Sequence, residues 1–219
     1  MKVINPNSVA MMPILTLLLG SASMGIASEP MSKPLIDFDD ASAARRWLSV
    51  NDGVMGGISR GGFRITDDKT LEFSGNLSLE NNGGFASIRT QPADLKLDGY
   101  NTIALRVKGD GRTYYLDLRT SSRDAAGSYR AAVKTQKDTR QEVRIPLKNF
   151  KYAAFGRPVA GAEPLKASKI QSVGFTLADK QAGPFRLEVD WIKGEKGTAA
   201  NEPTAVKQPD DSAGNRDIV

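Results

Sequence analysis

The sequence predicts an all-β domain built as a two-sheet sandwich. Residues 71–79 alternate apolar and polar side chains over their whole length, which is typical of a strand with one buried and one solvated face. Further short runs of β-like composition, separated by glycine or polar breaks, lie at 85–90, 102–108, 113–120, 128–134, 141–146, 170–177 and 185–192. No helical pattern lies between these runs to cover a parallel sheet. We therefore expect antiparallel strands that pack as two layers.

Turn and helix signals complete the order of elements. Gly109-Asp110-Gly111 predicts a tight hairpin turn between the flanking strands, and Asp98-Gly99 predicts a second turn. A single helical turn is expected at 41–46, where Asp39 or Asp40 is positioned to cap its first residues.

Composition limits the chemistry that the chain can perform. Its 219 residues suit one domain with extended ends. The absence of His and Cys excludes disulfides, nucleophilic triads that use His or Cys, and zinc sites built from imidazole or thiolate. The formal charge of +5 is not gathered into a basic run, so we expect a solvated surface and no nucleic-acid partner.

The two ends differ from the central domain at 35–193. Residues 1–27 predict a secretory signal peptide, with Lys2, an apolar stretch at 10–19 and a Gly25-Ile26-Ala27 cleavage site. The protein is therefore expected to be secreted or periplasmic, with retention at the membrane as the alternative if the segment stays uncleaved. Residues 194–219 have almost no large apolar side chains and predict a disordered tail.

Two glycine-rich segments are the most specific feature of the domain. Trp47 precedes Asn-Asp-Gly-Val-Met-Gly-Gly-Ile-Ser at 51–59, and Asn-Asn-Gly-Gly-Phe-Ala-Ser-Ile-Arg follows at 81–89. This combination resembles the complex I intermediate-associated protein family over about 35–193. The resemblance implies a jelly-roll β-sandwich of the galactose-binding-like class, an architecture shared with many carbohydrate-binding modules. Mitochondrial members of that family act as assembly factors for respiratory complex I.

Both glycine segments have a ligand-binding and a structural interpretation. As ligand loops, they would use Trp47 as a stacking platform and Asn51, Asp52, Asn81 and Asn82 as hydrogen-bonding groups. As structural elements, Trp47 would fill the core and the glycines would permit turns and close strand approach. The apolar pair in Val-Met at 54–55 favours the structural interpretation of the first segment.

A polar sheet face is a second candidate site. Strand alternation predicts that Tyr115, Asp117 and Arg119 face away from Leu116 and Leu118. Together with the strand residues Arg89 and Tyr129, they are candidates for contact with a carbohydrate or a protein. The alternative is ordinary cross-strand charge pairing.

Carboxylates give two further hypotheses. Because the first and last strands of such sandwiches tend to be neighbours, Asp37, Asp39 and Asp190 are candidates for a structural calcium site, with capping and turn roles as the alternative. No spacing among the acidic residues requires a hydrolytic pair, and no cofactor or catalytic activity is expected.

The functional prediction is an exported, non-catalytic binding domain. Its partner is expected to be a protein, such as an intermediate of a membrane complex of the respiratory complex I type that the domain assists as a chaperone or assembly factor. The alternative is a carbohydrate-binding module for cell-wall or environmental glycans. A glycan binder should display several aromatic side chains, so buried tryptophans would count against that alternative.

Overall fold

The computed structural model describes residues 31–120 and 127–196, which form thirteen strands and five short 3-10 helices, with no α-helix among them. The strands are β1 (Met31–Ile36), β2 (Trp47–Ser49), β3 (Arg60–Ile65), β4 (Leu71–Leu77), β5 (Ala86–Thr90), β6 (Thr102–Gly109), β7 (Thr113–Arg119), β8 (Gly127–Lys134), β9 (Arg140–Pro146), β10 (Lys151–Ala154), β11 (Arg157–Pro158), β12 (Ser172–Leu177) and β13 (Gly183–Lys196). The 3-10 helices are Ala41–Arg46, Asp52–Met55, Glu80–Asn82, Leu147–Asn149 and Ala167–Lys169.

The strands form two antiparallel sheets. The first sheet has the order β3-β4-β13-β6-β9, and β1 pairs with the last part of β13 beyond the end of β4. The second sheet has the order β11-β10-β8-β7-β12-β5-β2. The predicted all-β sandwich is confirmed.

The core lies between the two sheets and is filled by alternate residues of each strand. The first sheet contributes Phe73 and Leu187, while the second contributes Leu116, Leu118 and Phe175, and all five are fully buried. The alternation at 71–79 therefore correctly predicted a strand with one buried face, although β4 ends at Leu77.

The predicted hairpin at Gly109-Asp110-Gly111 is wrong. β6 belongs to the first sheet and β7 to the second, so the turn carries the chain across the sandwich. The Asp110 carboxylate accepts hydrogen bonds from the backbone N–H of Arg112 at 3.1 Å and of Arg186 at 2.8 Å, and from the Tyr114 hydroxyl at 3.0 Å. These bonds fix the crossover without pairing its two flanking strands.

The predicted helical turn is present. It is the 3-10 helix Ala41–Arg46, and Asp40 caps it by accepting a hydrogen bond from Ser42 N at 2.8 Å.

The carboxyl-terminal boundary of the domain differs slightly from the prediction. β13 continues to Lys196, three residues into the segment predicted as a tail. The predicted signal peptide and the rest of that tail lie outside the described residues.

Candidate functional site

A buried carboxylate joins the two glycine-rich segments. Asp52 is fully buried and accepts hydrogen bonds from Ser59 N at 2.9 Å and Ser59 Oγ at 2.5 Å within its own segment. From the second segment it accepts hydrogen bonds from Gly84 N at 2.7 Å and Phe85 N at 3.3 Å. Four donors thus satisfy one carboxylate, which is the arrangement that makes a buried charge tolerable.

Two glycines are needed because they pack directly on that carboxylate. A methyl group added at Gly57 or at Gly83 would overlap the Asp52 side chain. Gly84 has a φ of +133°, which L side chains rarely adopt. Gly57 and Gly83 therefore permit close approach to the Asp52 side chain, whereas the structural interpretation predicted turns and close approach between strands.

Asn51 makes a second connection beside Asp52. Its Nδ2 donates to Gly61 O at 2.9 Å in β3, and its Oδ1 accepts from Ser87 N at 3.4 Å in β5. The backbone of Val50 also bonds to Ser87, with N to O at 2.9 Å. Asn51 and Asp52 are consequently occupied by the protein itself and do not present free groups to a ligand.

The hydrogen bonds hold the pKa of Asp52 below its ordinary value. Burial alone would raise this pKa, but the donors Ser59, Gly84 and Phe85 stabilise the ionised carboxylate and outweigh it. Asp52 is thus charged at neutral pH, and its charge is part of the folded structure.

Trp47 belongs to the core. Its side chain is only 3% exposed, and its ring lies 6.3 Å from Phe38, 6.5 Å from Phe63 and 6.4 Å, stacked, from Phe175. The second tryptophan, Trp191, is half-buried, with Lys193 Nζ 4.1 Å above its ring. Neither tryptophan offers an open stacking platform.

Apolar side chains are exposed on the first glycine segment and just before the second. Val54 is 74% exposed and Met55 57% exposed, and both stand on the 3-10 helix that begins at Asp52. Ile58 and Leu79 are also exposed, and the segments that carry them are joined by the hydrogen bond from Ser78 N to Ser59 Oγ at 3.0 Å. We call Val54, Met55, Ile58 and Leu79 the apolar rim.

Asn81 and Asn82 form an exposed turn beside this rim. Their φ angles of +54° and +59° lie in the left-handed region, which asparagine tolerates better than most residues. They lie in the 3-10 helix Glu80–Asn82, which leads into the Gly83 backbone that packs on Asp52. Their turn role is clear from this geometry, and ligand binding by their side chains stays a prediction.

The predicted polar face is present on the outer side of the second sheet. Asp117 is buried there and accepts hydrogen bonds from Ser128 Oγ at 2.7 Å, Thr176 Oγ1 at 2.5 Å and Arg130 Nε at 3.1 Å. Asp117 lies directly opposite Arg130 in the β7–β8 pair. Cross-strand charge pairing, the alternative given from the sequence, is thus confirmed for these two residues.

Two further arginines, Arg89 and Arg119, lie on the same face and have no ion-pair partner among the described residues. Arg119 Nη1 donates to Gly127 O at 2.6 Å, but its buried Nε has no partner among the described residues. Burial lowers the pKa of Arg119; Asp117 opposes this effect, and the neighbouring cations Arg89 and Arg130 add to it. Arg89 lies across Gly174 from Asp117.

The aromatic residues of the predicted patch separate. The Tyr115 ring lies 4.8 Å from Arg130 Cζ on the outer face. Tyr129 instead pairs with Leu118 and packs against Tyr152 at 5.1 Å, and its hydroxyl donates to Glu163 O at 2.9 Å. The structure therefore groups Arg89, Tyr115, Asp117 and Arg119 and leaves Tyr129 on the core side.

The sequence interpretation did not include the hydroxyls that bond to Asp117. Ser128 and Thr176 come from strands on either side of β7, and only the strand register places them beside Asp117. Alternation alone indicates the face of each residue but not its partners across the sheet.

The structure does not bring the three calcium candidates together. Asp190 is paired with Arg106 at 3.3 Å and with Arg140, and Asp39 lies 3.6 Å from Lys69 Nζ. Within 31–120 and 127–196, no group of three acidic residues is arranged to hold a metal ion. The calcium site stays a prediction without geometric support.

Structural comparison places the fold among carbohydrate-binding modules. A family 11 module of a Clostridium thermocellum cellulase aligns with a TM-score of 0.57, at 17% identity over 78% of this chain and 97% of the module. An agarase aligns with a TM-score of 0.51, at 12% identity over 74% of this chain and 24% of the enzyme. At these identities the likeness concerns the fold alone, and it defines the class as a two-sheet β-sandwich of carbohydrate-binding-module architecture.

Sequence comparison gives the family. The model of complex I intermediate-associated protein 30 matches residues 36–189, and the chain belongs to this family. The mouse mitochondrial complex I intermediate-associated protein 30 is 32% identical over 67% of this chain and 51% of its own length. The Neurospora crassa mitochondrial protein is 28% identical over 54% of this chain and 49% of its own length. This chain spans about half the length of these curated relatives.

Proposed function

We propose that this protein is an exported, non-catalytic domain that binds proteins and assists the assembly of a membrane protein complex. The observation that carries this proposal is the apolar rim, which is exposed on the first glycine segment and at Leu79, beside the second segment that the buried Asp52 carboxylate bonds to the first. Exposed groups of large apolar side chains are typical of protein-binding surfaces.

The rigidity of the rim supports a binding role over an accidental exposure. Asp52 anchors both segments through four hydrogen bonds, so Val54 and Met55 are held in place without packing into the core. A preordered surface loses less conformational entropy on binding than a mobile loop does. Protein contacts also bury apolar area, and removing that area from water favours association.

The family supports the choice of partner. Its members in mouse and Neurospora are named as proteins associated with complex I intermediates. We transfer this role as an assembly factor for a membrane complex of the same type.

The part of the chain that the structure describes contains no helix with the length and hydropathy of a membrane span. Export is proposed from the signal pattern at 1–27, and fractionation of cells producing the full chain checks it.

The proposal is tested by affinity capture from detergent-solubilised membranes of the protein's own cells. The test variant carries Val54→Ser and Met55→Ser, and the matched control carries Val159→Ser, which removes an exposed apolar side chain elsewhere. Wild type and control should recover subunits of a respiratory complex. The rim variant should recover about tenfold less, because interface anchors of this kind contribute more than 1 kcal/mol.

Equal recovery by the rim variant and the control would refute the proposed role of the rim. Both variants change exposed side chains only, so their melting temperatures should match that of wild type within a few degrees. A loss of recovery can therefore be assigned to the surface.

Glycan binding is the second candidate, and the structural likeness to family 11 modules favours it. Against it, Trp47 is in the core and Lys193 covers Trp191, which leaves Tyr115 as an aromatic side chain on the polar face. A glycan array with the full chain decides the matter: selective binding to one sugar class, lost on Tyr115→Ala, would establish this function.

A further inference from the structure

The outer face of the second sheet carries excess positive charge. Among the described residues, Arg89, Arg119 and Arg130 share this face with one carboxylate, Asp117. Asp117 is already bonded to Ser128, Thr176 and Arg130, so its oxygens are committed. Two guanidinium charges therefore lack a matching anion within the cluster.

The donors of these two guanidinium groups are also unmatched. Arg119 uses Nη1 to bond to Gly127 O, while its Nε is buried and unpaired within the described part of the chain. The side chain of Arg89 is half-buried and makes no hydrogen bond or ion pair with another described residue. An incoming oxygen acceptor would pair the unused donors of Arg89, whose side chain is partly accessible to solvent.

The cluster spans three neighbouring strands. Arg89, Gly174 and Asp117 lie side by side on β5, β12 and β7, so the backbones at Arg89 and Asp117 are two strands, or about 10 Å, apart. Gly174 packs closely on β5, since a methyl group added there would lie 2.5 Å from Ile88 O and 3.0 Å from Arg89 Cβ. An acceptor therefore approaches Arg89 from the solvent side of the sheet.

Guanidinium groups select planar or tetrahedral oxyanions. A guanidinium fork donates two parallel hydrogen bonds to a carboxylate or a phosphate, and each such charge-assisted bond is stronger than a neutral one. An anion bound at the cluster would also reduce the repulsion among the three arginines, which adds to the larger effect of burial in lowering the pKa of Arg119.

The neighbours of the cluster favour a peptide over a sugar chain. Leu48 is exposed and lies opposite Arg89 in the β2–β5 pair, and Tyr115 lies on the other side, against Arg130. An aliphatic side chain, a single aromatic ring and free guanidinium groups suit a peptide in which an acidic residue adjoins an apolar one. Sugar rings are usually held by several aromatic faces.

The geometry points to a site on the outer face of the second sheet, formed by Arg89 and Arg119 with Arg130, that binds the carboxylate of an acidic segment of a partner protein. This site rests on the proposed protein-binding function and gives that function a second contact of defined chemistry. The apolar rim and the arginine site are separate surfaces, so each is tested by its own substitutions.

Nuclear magnetic resonance titration of the full chain tests the site. The probes are an acetylated hexapeptide of alternating Glu and Leu, its Gln-Leu counterpart, a galacturonate trisaccharide and inorganic phosphate. The Glu-Leu peptide should shift the Nε–H resonance of Arg119, with a dissociation constant of about 1 mM or tighter and a steep dependence on salt. The Gln-Leu peptide should leave it unchanged.

Two substitutions locate the binding. Arg89→Gln removes a side chain that makes no internal bond, so it leaves the fold intact and should weaken the Glu-Leu peptide about tenfold, equivalent to about 1.4 kcal/mol. Arg119→Lys keeps the charge but removes the fork, and it should weaken the peptide several-fold. The control Arg60→Gln removes one exposed positive charge from the first sheet and should change the affinity less than twofold.

Several outcomes would overturn the site. These are an unmoved Arg119 resonance, equal shifts with the Gln-Leu peptide, equal weakening by the control, or tighter binding of phosphate or galacturonate than of the Glu-Leu peptide. These results leave the proposed function intact if the rim variant still loses its partner. Conversely, a rim variant that keeps its partner refutes the rim without touching the peptide titration.

Discussion

The side chain of Asp52 connects the two glycine segments, because it accepts a hydrogen bond from Gly84, 32 residues further along the chain. Changing it to Asn keeps the size but replaces one charged acceptor oxygen by a donor, which then faces backbone N–H groups. Asp52→Asn should lower the free energy of unfolding by about 3 kcal/mol. Urea denaturation measures this, and Asp37→Asn, at an exposed residue, should stay within about 0.5 kcal/mol of wild type.

The pH dependence of this effect follows from the lowered pKa of Asp52. A carboxyl whose pKa is lowered by folding stabilises the protein fully above its unfolded pKa of about 3.9, and this stability is lost as the pH falls through the folded value. The gap in unfolding free energy between wild type and Asp52→Asn should therefore shrink as the pH falls from 7 towards 2. A gap that stays constant would show that the charge of Asp52 contributes nothing.

Gly57 offers a purely steric test of the same arrangement. A methyl group at Gly57 would overlap the Asp52 carboxyl group, whereas one at Gly53 would meet no atom within 4 Å. Gly57→Ala should destabilise the domain by about 2 kcal/mol, because the Asp52 side chain must move. Gly53→Ala should be neutral or slightly stabilising. Thermal unfolding compares the two, and similar melting temperatures would contradict the proposed packing.

At the scale of elements, the strands could be predicted from alternation but their partners could not. β4, β7 and β12 follow the predicted pattern closely. β1, β2, β3, β10 and β11 were not predicted: β3 contains two adjacent glycines, and β2, β10 and β11 have four residues or fewer. Glycine removes the side chains whose period would reveal a strand.

The Gly109-Asp110-Gly111 turn shows why local signals misled. Its composition suits a hairpin, yet the strands on either side belong to different sheets. Tertiary bonds decide the outcome: Arg112 forms a bidentate ion pair with Asp179, with Nε–Oδ2 at 2.9 Å and Nη2–Oδ1 at 2.6 Å. Nothing in the sequence places Asp179 there.

This ion pair yields a prediction for the element it holds. Arg112 also donates to Pro184 O at 3.1 Å, so it ties the β6–β7 crossover to the β12–β13 connection. Arg112→Lys should destabilise the domain by about 2 kcal/mol, since Lys cannot reproduce the bidentate geometry around the largely buried Asp179. Amide hydrogen exchange at 179–183 should accelerate selectively. Unchanged exchange there would contradict the role of Arg112 in holding these two connections together.

For the molecule as a whole, the fold could be predicted further than the site. Motifs and alternation were sufficient for the sandwich, and the family match covers 36–189. The site could not be predicted to the same extent, because the role of Trp47 and Asp52 depends on which distant residues surround them. Both interpretations of the glycine segments fitted the sequence; the hydrogen bonds to Asp52 show a structural role for Asp52, and the apolar rim is exposed beside it.

The central claim is that the apolar rim contacts a membrane-complex protein. The most direct measurement is photo-crosslinking in the protein's own cells, with p-benzoylphenylalanine replacing Val54 in one sample and Val159 in the other. The rim position should crosslink to respiratory-complex subunits, and the control position should not. No crosslinked subunit at Val54, or equal products at both positions, would contradict the claim.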